Sequence, residues 1–152
     1  MAKKIKKPWP TKNAMSQVYE KHLWGGELFD FYSGTGSHDP KITTPYLQSI
    51  ITFLERHNPP LTICDLGCGD FNIGRQLITY SKTYFAIDIV EALIDRNKKH
   101  YKEDNLEFIC LDISKNTLPP GDCVILRQVL QHISNAEIPV SYTHLRAHRD
   151  RG

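Results

Sequence analysis

Apolar positions along the chain follow two rhythms. Short, nearly unbroken apolar runs alternate with stretches in which apolar residues recur every three or four positions. The first pattern predicts strands buried on both faces and the second amphipathic helices. The runs are Leu61 to Asp65, Tyr84 to Asp88, Leu106 to Leu111 and Asp122 to Arg127. The first helical stretch is Ala14 to Trp24, with Met15, Val18, Tyr19, His22 and Leu23 on one face and Ser16 or Asn13 placed to cap it. The second carries Tyr46, Leu47, Ile50, Ile51, Phe53 and Leu54 to Arg56. Thr43 or Thr44 before Pro45 predicts its N-cap, with proline in the first turn. Ile73 to Tyr80 and Val90 to Tyr101 follow; in the latter Leu93 and Ile94 point inward, and Arg96, Lys98 and Lys99 form a solvated face. Asn58-Pro59-Pro60 is a turn. Strands alternating with helices predict an α/β fold built on a parallel sheet.

Between the first run and the third helical stretch lies Asp65-Leu66-Gly67-Cys68-Gly69-Asp70-Phe71-Asn72. Glycines there let the backbone approach a ligand, and the N–H groups of a helix start can face it. Three runs close on an acid: Asp65, Asp88 and Asp112. Ligands of open α/β sheets sit off the carboxyl ends of the strands. Asp88 falls about twenty residues beyond the glycine loop, where a carboxylate reaches ribose hydroxyls. Together these predict a nucleoside-containing ligand. A dinucleotide fingerprint needs glycine at position 72, where the chain has Asn72, and no P-loop sequence is present. The acidic loop, with Asp65 and Asp70, suits a ligand carrying positive charge.

Composition narrows the picture further. The 152 residues carry a net charge of +2, and no apolar run is long enough to span a bilayer. The basic start, Met1 to Pro8, lacks the apolar segment of a secretory signal. Residues 1–15 are expected to be a basic, mobile tail with no nucleic-acid role. The cysteines lack metal-site spacing. Cys64, Cys110 and Cys123 lie in apolar runs as small buried hydrophobes, and free thiols imply a cytoplasmic setting. Tyr32-Ser33-Gly34-Thr35-Gly36-Ser37 suits either an anion cradle or a plain surface loop.

These motifs resemble those of class I S-adenosylmethionine-dependent methyltransferases, over about Ser16 to Ile138. Asp65-Leu66-Gly67-Cys68-Gly69 matches the family's first motif, Asp88 the acid after the second strand, Asp112-Ile113 the adenine-side motif, and Asp122 to Ile133 the fourth-strand motif. Trp24-Gly25-Gly26 followed by Ser33 to Ser37 is similar to the start of one bacterial group within it. The resemblance implies a Rossmann-like sheet in order 3-2-1-4, with the family's later strands missing. It implies S-adenosyl-L-methionine as cofactor and in-line methyl transfer to a small-molecule acceptor. Asp65, Gly67, Cys68 and Gly69 would hold the methionine half, and Asp88 the ribose. Ile89 would pack on adenine, Asp112 and Ile113 would take its amino edge, and Arg127 would lie beside the methionine moiety. His132 is the candidate general base, with His38 and Tyr32 behind it. Many members carry glycine where this chain has Phe71. A non-catalytic adenosylmethionine-binding fragment and a nucleotide-dependent oxidoreductase are the alternative readings.

The last segment breaks the pattern. Ser134-Asn135-Ala136-Glu137 is a capping box, but Pro139 predicts that its helix stops at once. Val140 to His148 resembles the in-frame translation of a transposon-based sequencing adaptor. The expected domain is therefore residues 16–138, incomplete, with 139–152 a non-native tail. Arg146, Arg149 and Arg151 against Asp150 place a net +2 in that tail, equal to the whole chain's charge. The basicity then carries no information about partners. Without its neighbour, the fourth strand would expose Val124, Ile125 and Leu126 at a raw sheet edge.

Overall fold

The computed structural model describes residues 10–26, 28 and 30–141. Residues 1–9 of the expected tail and 142–152 of the adaptor-like segment lie outside them. The elements run α1 (Thr11–Glu20), α2 (Pro40–Leu54), β1 (Thr62–Leu66), β2 (Thr83–Asp88), α3 (Glu91–His100), β3 (Leu106–Cys110) and β4 (Cys123–Leu126). The four strands form one sheet in the order β3-β2-β1-β4, as expected. All pairings are parallel, with Asp65 opposite Ala86 on one side and Ile125 on the other.

Alternation along the strands divides the apolar residues between two faces. Ile63, Tyr84, Ala86, Phe108 and Ile125 join Leu47 and Leu54 of α2 and Ile94 of α3 in the main core. Cys64, Leu66 and Ile87 face the other way, against Leu118 of the loop before β4. Among the described residues no helix covers that second face, and Val124 and Leu126 there stay half-buried. β4 is an edge strand among those residues.

Several expectations need correction. α1 begins at Thr11, three residues before the predicted start and inside the expected tail. Neither Asn13 nor Ser16 caps it; Pro10 occupies the N-cap position. α2 begins at Pro40, where Asp39 is the N-cap and accepts from the Lys41 N–H at 2.9 Å. An Asx cap followed by proline is the stronger start signal, so Pro45 falls inside the helix. No α-helix follows the glycine loop. The chain makes two 3₁₀ turns instead, Gly74–Gln76 and Ile78–Tyr80. Seven residues with a glycine at the start carry too few propagating hydrogen bonds for an α-helix. The expected helix-start N–H groups are therefore not available to a ligand.

Residues 137–141 are helical despite Pro139. One arm of the capping box is made: the Ser134 N–H donates to Glu137 Oε2 at 2.8 Å, while the Glu137 N–H donates to the Ser134 carbonyl. Pro139 lies in the first turn of the helix, where its fixed φ fits and an N–H would have no partner within the helix. Cys110 is exposed rather than buried, because β3 is the other sheet edge. Arg96 is not a solvated residue either, for reasons that lie in the site.

Candidate functional site

The glycine loop leaves β1 and turns back under β2. The Gly67 and Cys68 N–H groups both donate to Ile87 O, at 2.8 and 2.9 Å. Gly67 has φ +78° and Gly69 φ +56°. A Cβ on Gly67 would lie 2.4 Å from Val129 Cγ2, and one on Gly69 would lie 2.3 Å from Ser33 Oγ. Both conformation and space therefore demand glycine.

A pocket opens over this loop at the carboxyl ends of the strands. Asp65, Gly67, Cys68, Gly69, Asp88, Ile89, Asp112, Ile113, Arg127 and His132 all line it. The structure thus brings together every residue singled out for the cofactor, and the candidate base with them. It adds Tyr19, Trp24, Ser33, Ser37, Tyr46 and Tyr84, from α1, the following loop, α2 and β2.

The three acids differ in surroundings. Asp65 is buried, and the Tyr84 hydroxyl donates to its Oδ2 at 2.9 Å. Burial pushes its carboxyl up to about 7, raised further by Asp88 and opposed by Tyr84 and Arg127. Asp88 accepts from the Gly69 N–H on Oδ2 and the Val90 N–H on Oδ1, both at 3.1 Å. Burial raises its carboxyl as well, against those backbone donors. Asp112 has both oxygens engaged: Ser114 donates twice to Oδ1, and Lys115 Nζ lies 2.7 Å from Oδ2. Partial burial would raise it, but the Lys115 and Ser114 donors prevail and hold it below the ordinary carboxylate range.

Asp70 serves the fold rather than facing a ligand. It accepts from the Ser33 N–H (2.8 Å) and the Asn72 N–H (3.2 Å), and lies 2.6 Å from His38 Nε2. The Asp70 N–H returns a bond to Ser33 Oγ, and Asn72 Nδ2 donates to Ser37 O. Arg127 extends the clamp from the far side, donating to Gly36 O and Ser37 Oγ while lying 5.0 Å from the Tyr46 ring centroid. The segment Ser33 to Ser37 is therefore pinned at both ends, with Ser33 and Ser37 lining the pocket. His38 is held in this network and stacks on Tyr32 at 4.5 Å.

α3 holds the loop from beneath. Buried Asn97 donates to Gly69 O at 2.8 Å. Arg96 reaches Asp70 O at 3.3 Å and pairs with Asp30. This is why Arg96 leaves the solvated face. Asn97 was legible as a polar residue in the inward stripe of Leu93 and Ile94. Ser33, Tyr84 and Arg96 carried no such signal, because their partners lie far away in sequence.

Phe71 stands where a glycine is common. Its φ is +67°, a strained conformation for a bulky residue that costs roughly 1–2 kcal/mol. Its ring is fully buried, edge-on to Tyr84, Tyr101 and Phe108 at 5.7, 5.1 and 4.9 Å. Burying a phenylalanine contributes about 1.5–3 kcal/mol, with more from the aromatic pairs, so packing outweighs the strain.

At the mouth, His132 lies 5.1 Å from the Trp24 ring centroid. Burial lowers its imidazole, which favours the neutral form at pH 7. A neutral imidazole can accept a proton.

The family described as "Methyltransferase domain" matches residues 63–152. No curated protein matches the sequence significantly. Among solved structures, magnesium protoporphyrin IX methyltransferase from Synechocystis PCC 6803 with bound SAM is similar at a TM-score of 0.68 and 18% identity, over 93% of this chain and 73% of that one. The N-methyltransferase NodS from Bradyrhizobium japonicum WM9, in complex with S-adenosyl-L-homocysteine, is similar at 0.63 and 15%, over 86% and 65%. A SAM-dependent methyltransferase from Leishmania major is similar at 0.67 and 14%, over 91% and 59%. The chain thus spans between 59% and 73% of their lengths. At these identities the likeness is one of fold.

Proposed function

This chain belongs to the methyltransferase domain family, and from that premise we propose that its pocket binds S-adenosyl-L-methionine and transfers the methyl group to a small-molecule acceptor. The observation that carries the reading is the pairing of charges around the glycine loop. A buried carboxylate, Asp65, and a guanidinium, Arg127, line one pocket, with Asp88 at the end of the adjacent strand. An ammonium and a carboxylate on one ligand, joined to a ribose, match that set.

In this reading Asp65 attracts the ammonium and Arg127 the carboxylate. Gly67 and Gly69 leave room for the chain between them. Asp88 accepts from the ribose hydroxyls with the lone pairs its backbone bonds leave over. Ile89, Ile113 and the Asp112 segment receive the base. When bound, the cofactor supplies an electrophilic methyl carbon on a sulfonium. The protein's part is to align the acceptor with it and exclude water, for which Trp24, Tyr19 and the clamped Ser33–Ser37 wall are placed. His132 takes a proton from the acceptor where one must leave.

A small-molecule acceptor is supported by the magnesium protoporphyrin IX enzyme among the similar folds. The oxidoreductase alternative has no support from family or fold. The four cysteines are free, consistent with a reducing, cytoplasmic setting. No helix among the described residues is long and apolar enough to cross a membrane. That native sequence gives way near Ile138 and leaves the domain incomplete belongs to the same proposal, and the uninterrupted reading frame beyond it tests that part.

Calorimetric titration of the purified chain tests the binding step. Adenosylmethionine should bind, S-adenosylhomocysteine should compete, and a nicotinamide dinucleotide should not. Binding of the dinucleotide alone would overturn the reading.

A further inference from the structure

We propose that Tyr84 is a positioning residue for Asp65: its buried hydroxyl, donating to Oδ2, aims the carboxylate from the pocket wall toward a cationic ligand. This rests on the adenosylmethionine reading and deepens it.

Tyr84 is fully buried and Asp65 nearly so. The two sit on adjacent strands, where Ile63 pairs with Tyr84 and places the hydroxyl near the carboxylate two residues on. Among the described residues that hydroxyl is the only hydrogen-bond donor to the Asp65 carboxylate, at 2.9 Å. A buried carboxylate with one neutral donor is under-compensated. Without a ligand the acid compensates by keeping its proton, and a cationic ligand on its open side would favour the carboxylate.

The Phe71 ring packs edge-on to Tyr84, and a Cβ on Gly74 would lie 3.0 Å from Asp65 Oδ2. The Phe71 ring thus helps hold the tyrosine where its hydroxyl meets Oδ2. Other titratable or charged groups face Asp65 from Asp88 at the end of β2, Arg127 beyond β4, Tyr46 on α2, Cys68 in the loop and Cys64 on its own strand. Of these only Arg127 favours its ionised form, and its guanidinium also donates to Ser37 and Gly36.

The test compares adenosylmethionine affinity of the unsubstituted chain and Tyr84→Phe between pH 6 and 9.5. Titration of the ligand's own amine cancels in the ratio of the two constants. Loss of the hydroxyl makes Asp65 harder to ionise, so the ratio is expected to be about tenfold at the acid end, as for one pH unit of displacement. It should approach unity at the alkaline end. A ratio near one throughout, or a constant ratio at every pH, overturns the role of Tyr84. Failure of the unsubstituted chain to bind at any pH overturns the adenosylmethionine reading, and this inference with it. Thermal melting supplies a second readout should the single variant fold poorly. Asp65→Asn/Tyr84→Phe should melt with Asp65→Asn, because the hydroxyl then has no carboxylate to serve. A large loss that persists in the double variant overturns the proposal.

Discussion

His38 Nε2 lies 2.6 Å from Asp70 Oδ2 and joins two loops that are 32 residues apart in the chain. Asp70 also takes the Ser33 and Asn72 N–H groups, so one carboxylate fixes both the early loop and the glycine loop. The pocket exists because these loops are held against each other.

Asp70→Ala should therefore both destabilise the protein and weaken ligand binding. Three donors lose their acceptor at a site only 5% exposed. A loss of about 3 kcal/mol is expected, in the range for breaking a buried pair. Chemical denaturation measures it. Loss below about 1 kcal/mol would show the loops to be held by other contacts.

Gly74 lies beneath the Phe71 ring, and an added Cβ would come within 2.3 Å of ring carbon Cε2. Gly74→Ala should cost about 1–3 kcal/mol by overpacking. Phe71→Gly relieves the backbone but leaves a ring-sized void, and should cost about 3 kcal/mol net. A stabilised Phe71→Gly variant would reverse the balance drawn between strain and packing.

The folded chain holds Asp65 protonated up to about pH 7, above its ordinary value of 3.8. Between those values the native state binds the extra proton. Stability of the ligand-free protein should fall as pH rises through that window and level off above it. Asp65→Asn removes this dependence. At pH 8 it should be more stable than the parent by up to about 4 kcal/mol, while losing adenosylmethionine binding. Melting temperatures across pH, with one titration, check both halves.

Asp88→Ala should weaken adenosylmethionine binding by at least ~1.5 kcal/mol, as for a hydrogen bond made by a charged group. Calorimetry reads it directly. Unchanged affinity would place the ribose elsewhere.

Arg127→Met keeps an unbranched apolar stem and removes the guanidinium over Tyr46 with its donors to Gly36 and Ser37. Binding should weaken by about 2 kcal/mol, since a charge-assisted contact is lost. Truncating the ligand's carboxylate should then bring no further loss. An additive loss would separate Arg127 from that carboxylate.

The legible part was local. Unbroken apolar runs marked the four strands to within a residue or two. The run from Asp65 to Gly69 marked the loop, and the acids at positions 88 and 112 marked the rest of the pocket rim. Errors arose where two local signals competed. Asp39-Pro40 outweighed Thr44-Pro45 as a helix start. The stretch from Ile73 had a helical period but too little length between Gly74 and Ser81 to propagate one. Pro139 signals a stop by itself, but it stands early enough in its helix to be tolerated.

The sequence by itself determined the strand order's ingredients and the residues that rim the pocket, because period, glycine and strand-end acid act over a few positions. Tertiary structure alone decided what each acid does. Asp65, Asp70 and Asp112 look alike in sequence. Folding leaves the first buried with one donor, saturates the second with three, and pairs the third with Lys115. Those differences come from chain segments brought together across the sheet, and a carboxylate's charge depends on the donors and solvent around it.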